Sequence, residues 1–141
     1  MVAGILHQLE FRLSYGECDP AGIVYFGAYH PWMERTHSEW HFDRDIRSDE
    51  MLDRYGVSTV SRHSSVTYEH PARLYDPIRV EMRTGRIGET SYTSRFDFVR
   101  RTDDRLLAVG TMTLVFVDPA MCPVRVPDWM REHLLSAGEP D

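Results

Sequence analysis

The stretch Tyr15-Gly16-Glu17-Cys18-Asp19-Pro20-Ala21-Gly22-Ile23-Val24-Tyr25-Phe26-Gly27-Ala28-Tyr29-His30-Pro31-Trp32 decides how this chain is read. It sets one carboxylate, Asp19, on a tight turn, follows it with a short apolar run, and ends in the start of an aromatic helix. Asp19-Pro20-Ala21-Gly22 has the residue order of a type I turn, with Asp first, Pro second and Gly fourth. Pro20 presets φ, and the Asp19 side chain can accept from the backbone that follows it. Local chemistry therefore offers Asp19 a plain role as a turn or cap residue. A second role, as a reactive carboxylate, has to come from its surroundings.

Working outward, the spacing predicts a helix from about Phe26 to Arg44. Tyr29, Trp32, Met33, Thr36 and Trp40 fall at i, i+3, i+4, i+7 and i+11 and make one apolar stripe. Pro31 has no N–H and its ring clashes one turn back, so it belongs in a first turn. Regular helix then begins near Ala28, or the first turn is irregular. A second stripe, His30, Glu34, His37 and His41, is offset by one residue. It reads as a polar face toward solvent or an interface. The alternative is a metal pair, since His37 and His41 have i, i+4 ligand spacing.

The rest of the chain alternates with period two. Leu9, Phe11, Leu13 and Tyr15 define a half-buried strand that delivers the chain to the Asp19 turn. Ser48–Tyr55 reads as a short helix capped by Ser48 and ended by Gly56. Val57–Tyr68 reads as a strand, followed by a bend at Pro71. Two more strands centre on Ile78-Val80-Met82 and Tyr92-Phe96-Phe98, with turns at Gly85–Glu89 and Thr102–Asp104. Leu106–Val117 is apolar on both faces and so is expected to be covered on both, by the helix on one side and a second subunit on the other. Pro127 suits the first turn of a short helix, Asp128–Leu135, and residues 136–141 are expected to fray. The inventory is an α+β domain spanning residues 1–141, with an antiparallel sheet of about five strands against one long central helix.

Composition narrows the function. The chain has 141 residues, a formal charge of −6, and 16 basic residues that are all arginine. Without lysine there is no Schiff-base chemistry. The acidic balance argues against nucleic-acid binding. Cys18 and Cys122 form neither metal spacing nor a disulfide framework. Val2–Leu6 is too short an apolar run for a signal peptide, and no segment approaches the roughly 18 apolar residues of a membrane span. A cytoplasmic protein that does not engage membranes is expected.

The run from Gly16 to Phe26, with Tyr29 and Trp32 after it, resembles the signature of hot-dog-fold acyl-CoA thioesterases, nearest the 4-hydroxybenzoyl-CoA thioesterase-like branch. The strand pattern extends the resemblance across most of the chain. It implies a sheet wrapped around the helix, a homodimer or homotetramer with sites at the subunit boundary, and hydrolysis of an acyl-CoA, aromatic acyl groups included, without cofactor or metal. Asp19 falls where the branch carries its catalytic carboxylate, as nucleophile or as general base. The backbone N–H of Phe26, with Gly27, falls where the helix tip polarises the carbonyl. Gly27 would let a ligand approach the backbone. Tyr25, Tyr29 and Trp32 can line an aromatic or aliphatic slot, and Glu34 can reach the acyl pocket. Arg86 and Arg125 lie where relatives hold the phosphates of CoA.

Three alternatives share these residues. One is a thioesterase acting on an acyl-carrier protein in a fatty-acid or polyketide pathway. Another is a hot-dog protein that binds acyl-CoA without cleaving it. In the third, Cys18 is the nucleophile, but no histidine accompanies it in the motif, and alternation puts it opposite Asp19.

Overall fold

A computed structural model describes residues 4–140 of the chain. Val2 of the N-terminal apolar run and Asp141 of the C-terminal tail lie outside the described residues.

The helix comes from the stripe and its start from Pro31. Residues Phe26–Ala28 wind as a 3-10 turn, and regular helix α1 runs Tyr29–Asp43. Pro31 is thus the third residue of α1, where the missing N–H has no intrahelical partner to lose. Tyr29, Trp32, Met33, Thr36 and Trp40 are all buried, as the stripe requires. His37 and His41 are buried too, at 7% and 1% exposure, which corrects the reading of their stripe as a face toward solvent or an interface. The physical reason is the breadth of the covered arc: α1 touches β-strands at both edges of the sheet, so more than one stripe is enclosed.

Those strands are β1 (Ile5–Arg12), β2 (Ser58–Tyr68), β3 (Pro77–Ile87), β4 (Ser91–Arg100) and β5 (Arg105–Val117). They form one antiparallel sheet in the order β1-β3-β4-β5-β2. The result is the α+β hot-dog architecture that the resemblance implies. Between sheet and helix, Tyr29, Met33, Trp40, Met82, Phe96 and Phe98 are essentially inaccessible. Each such side chain contributes about 1.5–3 kcal/mol on leaving water. Two short helices complete the chain, α2 (Met51–Tyr55) and α3 (Asp128–Leu134).

Several boundaries differ from the sequence reading, each for a local reason. β1 ends at Arg12, and Tyr15 is 79% exposed in a 3-10 turn of Tyr15–Glu17. Ser48 does not cap α2. Arg47 grips the Asp49 carboxylate at 2.7 Å and closes a separate turn first, so the cap is Glu50. Gly56 ends α2 as expected, with φ of 73°. The β3–β4 turn is tighter than Gly85–Glu89. Gly85 is an extra residue in β3, a bulge between Thr84 and Arg86, and the strand continues to Ile87.

The second face of β5 is also different in kind. Its middle carries Thr111 and Thr113, whose hydroxyls meet Ser65 and Thr93 at 2.6 and 2.7 Å. Val115 and Val117, the apolar end of that face, are already buried within the single chain. The strand's pattern therefore does not require a second subunit over it.

Candidate active site

The Asp19 turn forms as its residues dictate. The Gly22 N–H donates to the Asp19 carbonyl at 3.0 Å, and Gly22 takes the positive φ of 78° that its missing side chain permits. The Asp19 Oδ1 accepts from the Ala21 N–H at 2.8 Å. Oδ2 has no hydrogen bond among the described residues, so one carboxylate oxygen is held and the other is available. The turn is anchored by the segment before β3. The Val24 N–H donates to Ala72 at 2.8 Å, and Ile23 bridges to Arg73.

Beside the turn lies a cleft of about 320 Å³. Asp19, Ile23, Val24, Phe26, Tyr29 and Tyr68 wall it, with Glu69, His70 and Pro71 at the end of β2. Asp19 and Phe26, at the helix tip, thus border one space. At that tip the first N–H to find a backbone acceptor is that of Ala28, on Tyr25 at 3.0 Å. Among the described residues the N–H groups of Phe26 and Gly27 have no backbone acceptor, as expected of a first turn. The Tyr68 hydroxyl donates to the Phe26 carbonyl at 2.9 Å. That carbonyl belongs to the same peptide as the Gly27 N–H, so the bond polarises the peptide toward better donation.

Gly27 and Tyr25 stand beside the cleft. A Cβ on Gly27 would come within 2.6 Å of the Tyr25 ring. The space that a Gly27 side chain would take is thus filled by the Tyr25 ring, so the missing side chain makes room for Tyr25 rather than for a ligand on that side. The Tyr25 ring also rests on Phe26, with centroids 4.8 Å apart, and both rings are half exposed or more.

The remaining candidates separate. Glu34 is exposed on α1 and is not part of the cleft wall. Arg86 opens on a different, polar cleft of about 340 Å³, shared with Arg62, His63, Ser91, Thr93 and Thr113. Arg125 is held by Asp128 at 2.9 Å and faces Glu89 at 3.9 Å. The structure therefore gives Arg86 cationic company and Arg125 acidic company. Cys18 is not on the wall. Desolvation first, then the charges of Asp19 and Glu17, push its thiol pKa up, which disfavours the thiolate. Its Sγ–H points at the Ser14 carbonyl, 3.6 Å away.

His37 and His41 turn away from metal chemistry. Their rings meet edge to face at 4.3 Å between centroids, and His37 Nε2 is engaged by the Tyr92 hydroxyl at 2.7 Å. Among the described residues no third His, Cys, Asp or Glu joins them as a ligand set.

Four residues at or behind the cleft were not singled out from the sequence. Tyr68, Glu69 and His70 arrive from a strand end far along the chain, where the carbonyl of the bulge residue Leu107 accepts both the Glu69 and the His70 N–H. No local signal marks them. Glu17 did leave one: Ser14-Tyr15-Gly16-Glu17 has capping-box spacing, and the Ser14 N–H and hydroxyl both reach Glu17 Oε1 at 2.9 Å.

With this geometry in view, comparison with known proteins places the chain. The profile of the Thioesterase-like superfamily matches residues 13–134, and the chain belongs to that family. It is a hot-dog thioester hydrolase by fold and class. The acyl-CoA thioester hydrolase YbgC of Escherichia coli O6:H1 is 29% identical over 120 residues, covering 81% of this chain and 84% of that one. A 1,4-dihydroxy-2-naphthoyl-CoA hydrolase of Prochlorococcus marinus is 27% identical over 97 residues, covering 64% of this chain and 63% of that one. Among solved structures, the 1,4-dihydroxy-2-naphthoyl-CoA thioesterase Slr0204 from Synechocystis superposes with a TM-score of 0.84 at 16% identity. The match covers 95% of this chain and 98% of that one.

Proposed function

We propose that this protein hydrolyses an acyl-CoA thioester to the free acid and CoA, with Asp19 as the working carboxylate and the helix tip as the electrophilic site. The observation that carries the proposal is the shared cleft: Asp19, with one free oxygen, and Phe26, at the free N–H end of α1, border the same apolar-walled space. A thioester carbonyl set against the Phe26 and Gly27 amides would gain stabilisation as negative charge grows on its oxygen, an effect typically worth about 3–4 kcal/mol per donor. Asp19 then attacks the carbonyl carbon, the C–S bond breaks to release the thiolate, and water opens the mixed anhydride. Alternatively Asp19 takes a proton from the water that attacks directly. Both routes consume one water and return Asp19 ionised.

The walls favour an aromatic acyl group. Phe26, Tyr29 and Tyr68 present ring surface to the cleft, and a relative is named for a naphthoyl-CoA substrate. Arg86, with Arg62 beside it, is the better placed of the two predicted arginines to meet CoA phosphates. Arg125 is engaged by carboxylates. We read the protein as a homo-oligomer, because β2 is an edge strand with Ser61–Ser64 exposed, and unpaired edges are ordinarily covered. Among the described residues no helix is long and apolar enough to cross a membrane.

Thiol release from a panel of aromatic and aliphatic acyl-CoA esters tests the proposal, with each acyl group also presented on a carrier protein. Turnover of an aromatic acyl-CoA above its carrier-bound form supports it. Preference for the carrier form would move the substrate to that class, and binding without thiol release would make the protein a carrier of acyl-CoA.

A further inference from the structure

We infer that Glu17 is a positioning residue for Asp19, through a carboxylate clamp between the Asp19 turn and the central helix. The inference rests on the Asp19 reading above.

Glu17 sits two residues before Asp19, and its side chain reaches in two directions at once. Oε1 accepts the Ser14 N–H and hydroxyl, both at 2.9 Å, which ties the clamp to the end of β1. Oε2 accepts the indole N–H of Trp32 at 2.8 Å, which ties it to α1. Its own carbonyl accepts the Tyr25 N–H at 2.8 Å, just before the helix tip. The residue thus joins three pieces of chain: the strand before the turn, the segment entering the helix, and the helix itself.

Trp32 is a firm anchor. It is 7% exposed and its ring packs against Phe11, Tyr29 and Phe98 at centroid distances of 4.6, 5.2 and 6.3 Å. No other side-chain hydrogen bond among the described residues links Ser14–Asp19 to α1. Asp19 itself bonds only to its own turn through its side chain. Backbone bonds from the Asp19 N–H to Ile23, at 2.9 Å, and from the Tyr25 N–H to Glu17 tie the turn to the segment entering the helix, and the Glu17–Trp32 bond is the side-chain tether that carries this on to α1 itself. Two oxygens with separate partners also explain the residue type, since a glutamine cannot accept from both sides.

The test compares E17Q, W32F and the double variant in the full chain, with D19N alongside, measuring kcat, KM and thermal midpoint on one acyl-CoA. E17Q and W32F each delete the same hydrogen bond. The inference expects each to lower kcat by about 10- to 100-fold, the scale on which misplacement by up to about 1 Å acts, with KM within about twofold. The double variant should fall no further than the lower single. E17Q with wild-type kcat, or losses that multiply in the double, would overturn it. A fall in thermal midpoint with unchanged kcat would also overturn it, leaving Glu17 a structural cap. If W32F does not fold, E17Q alone decides, since it keeps the Ser14 contacts. If D19N is as active as wild type, the Asp19 reading fails instead. If D19N is inactive and E17Q is not, the positioning claim fails by itself.

Discussion

The imidazole of His37 and the hydroxyl of Tyr92 lie 2.7 Å apart inside the core, joining α1 to β4. Burial holds the His37 pKa down to about 4. Burial first, then the neighbouring His37 and His133, holds His41 down to about 2. Both His41 ring nitrogens are buried without a hydrogen-bond partner among the described residues. An unfolded histidine titrates near ~6.5. Below that pH the unfolded chain binds more protons than the folded one, so acid favours unfolding. Stability is full above about 6.5 and falls as pH drops, by roughly 1.4 kcal/mol per pH unit for each ring. The loss continues to about 4 for His37 and further for His41. Urea unfolding at pH 7.5, 6 and 5 checks this, and H41L should show a shallower slope than wild type by the same linkage.

Gly110 of β5 sits directly against Met33 of α1. A Cβ there would collide with the Met33 sulfur and come within 3.3 Å of the Phe98 ring. G110A should therefore cost about 1–3 kcal/mol, the usual range for overpacking. The loss should appear as a lower thermal midpoint, while Asp19 and the cleft are untouched.

Tyr68 ties the helix tip to the end of β2 through the Phe26 carbonyl, at 2.9 Å. Y68F should lower stability by only about 0.5–1.5 kcal/mol. It should lower kcat more than that suggests, because the peptide that carries the Gly27 N–H loses its polarising partner. Chemical denaturation and steady-state kinetics on the same preparation separate the two effects.

What the sequence made legible was local chemistry. The Asp19–Gly22 turn could be read because Asp, Pro and Gly each act within four residues, and the observed Gly22-to-Asp19 and Ala21-to-Asp19 bonds are those contacts. The core of α1 could be read because its stripe is periodic. The burial of His37 and His41 could not, because it depends on a sheet that closes around the helix from both edges. Glu69 and His70 reach the cleft only through pairing with Leu107. The loss of Arg125 to Asp128 and Glu89 is likewise a matter of folded geometry. Gly85 shows the limit of turn chemistry: the same residue that opens turns can also seat a bulge inside a strand.

The most direct test of the account is kcat for acyl-CoA hydrolysis by D19N, measured on protein whose thermal midpoint matches wild type. Asparagine keeps an acceptor for the Ala21 N–H and so keeps the turn, but it can neither attack the carbonyl as a carboxylate nor take a proton from water. The account predicts normal folding and a kcat lower by about 10²- to 10⁴-fold. Hydrolysis at the wild-type rate by the folded variant would contradict it.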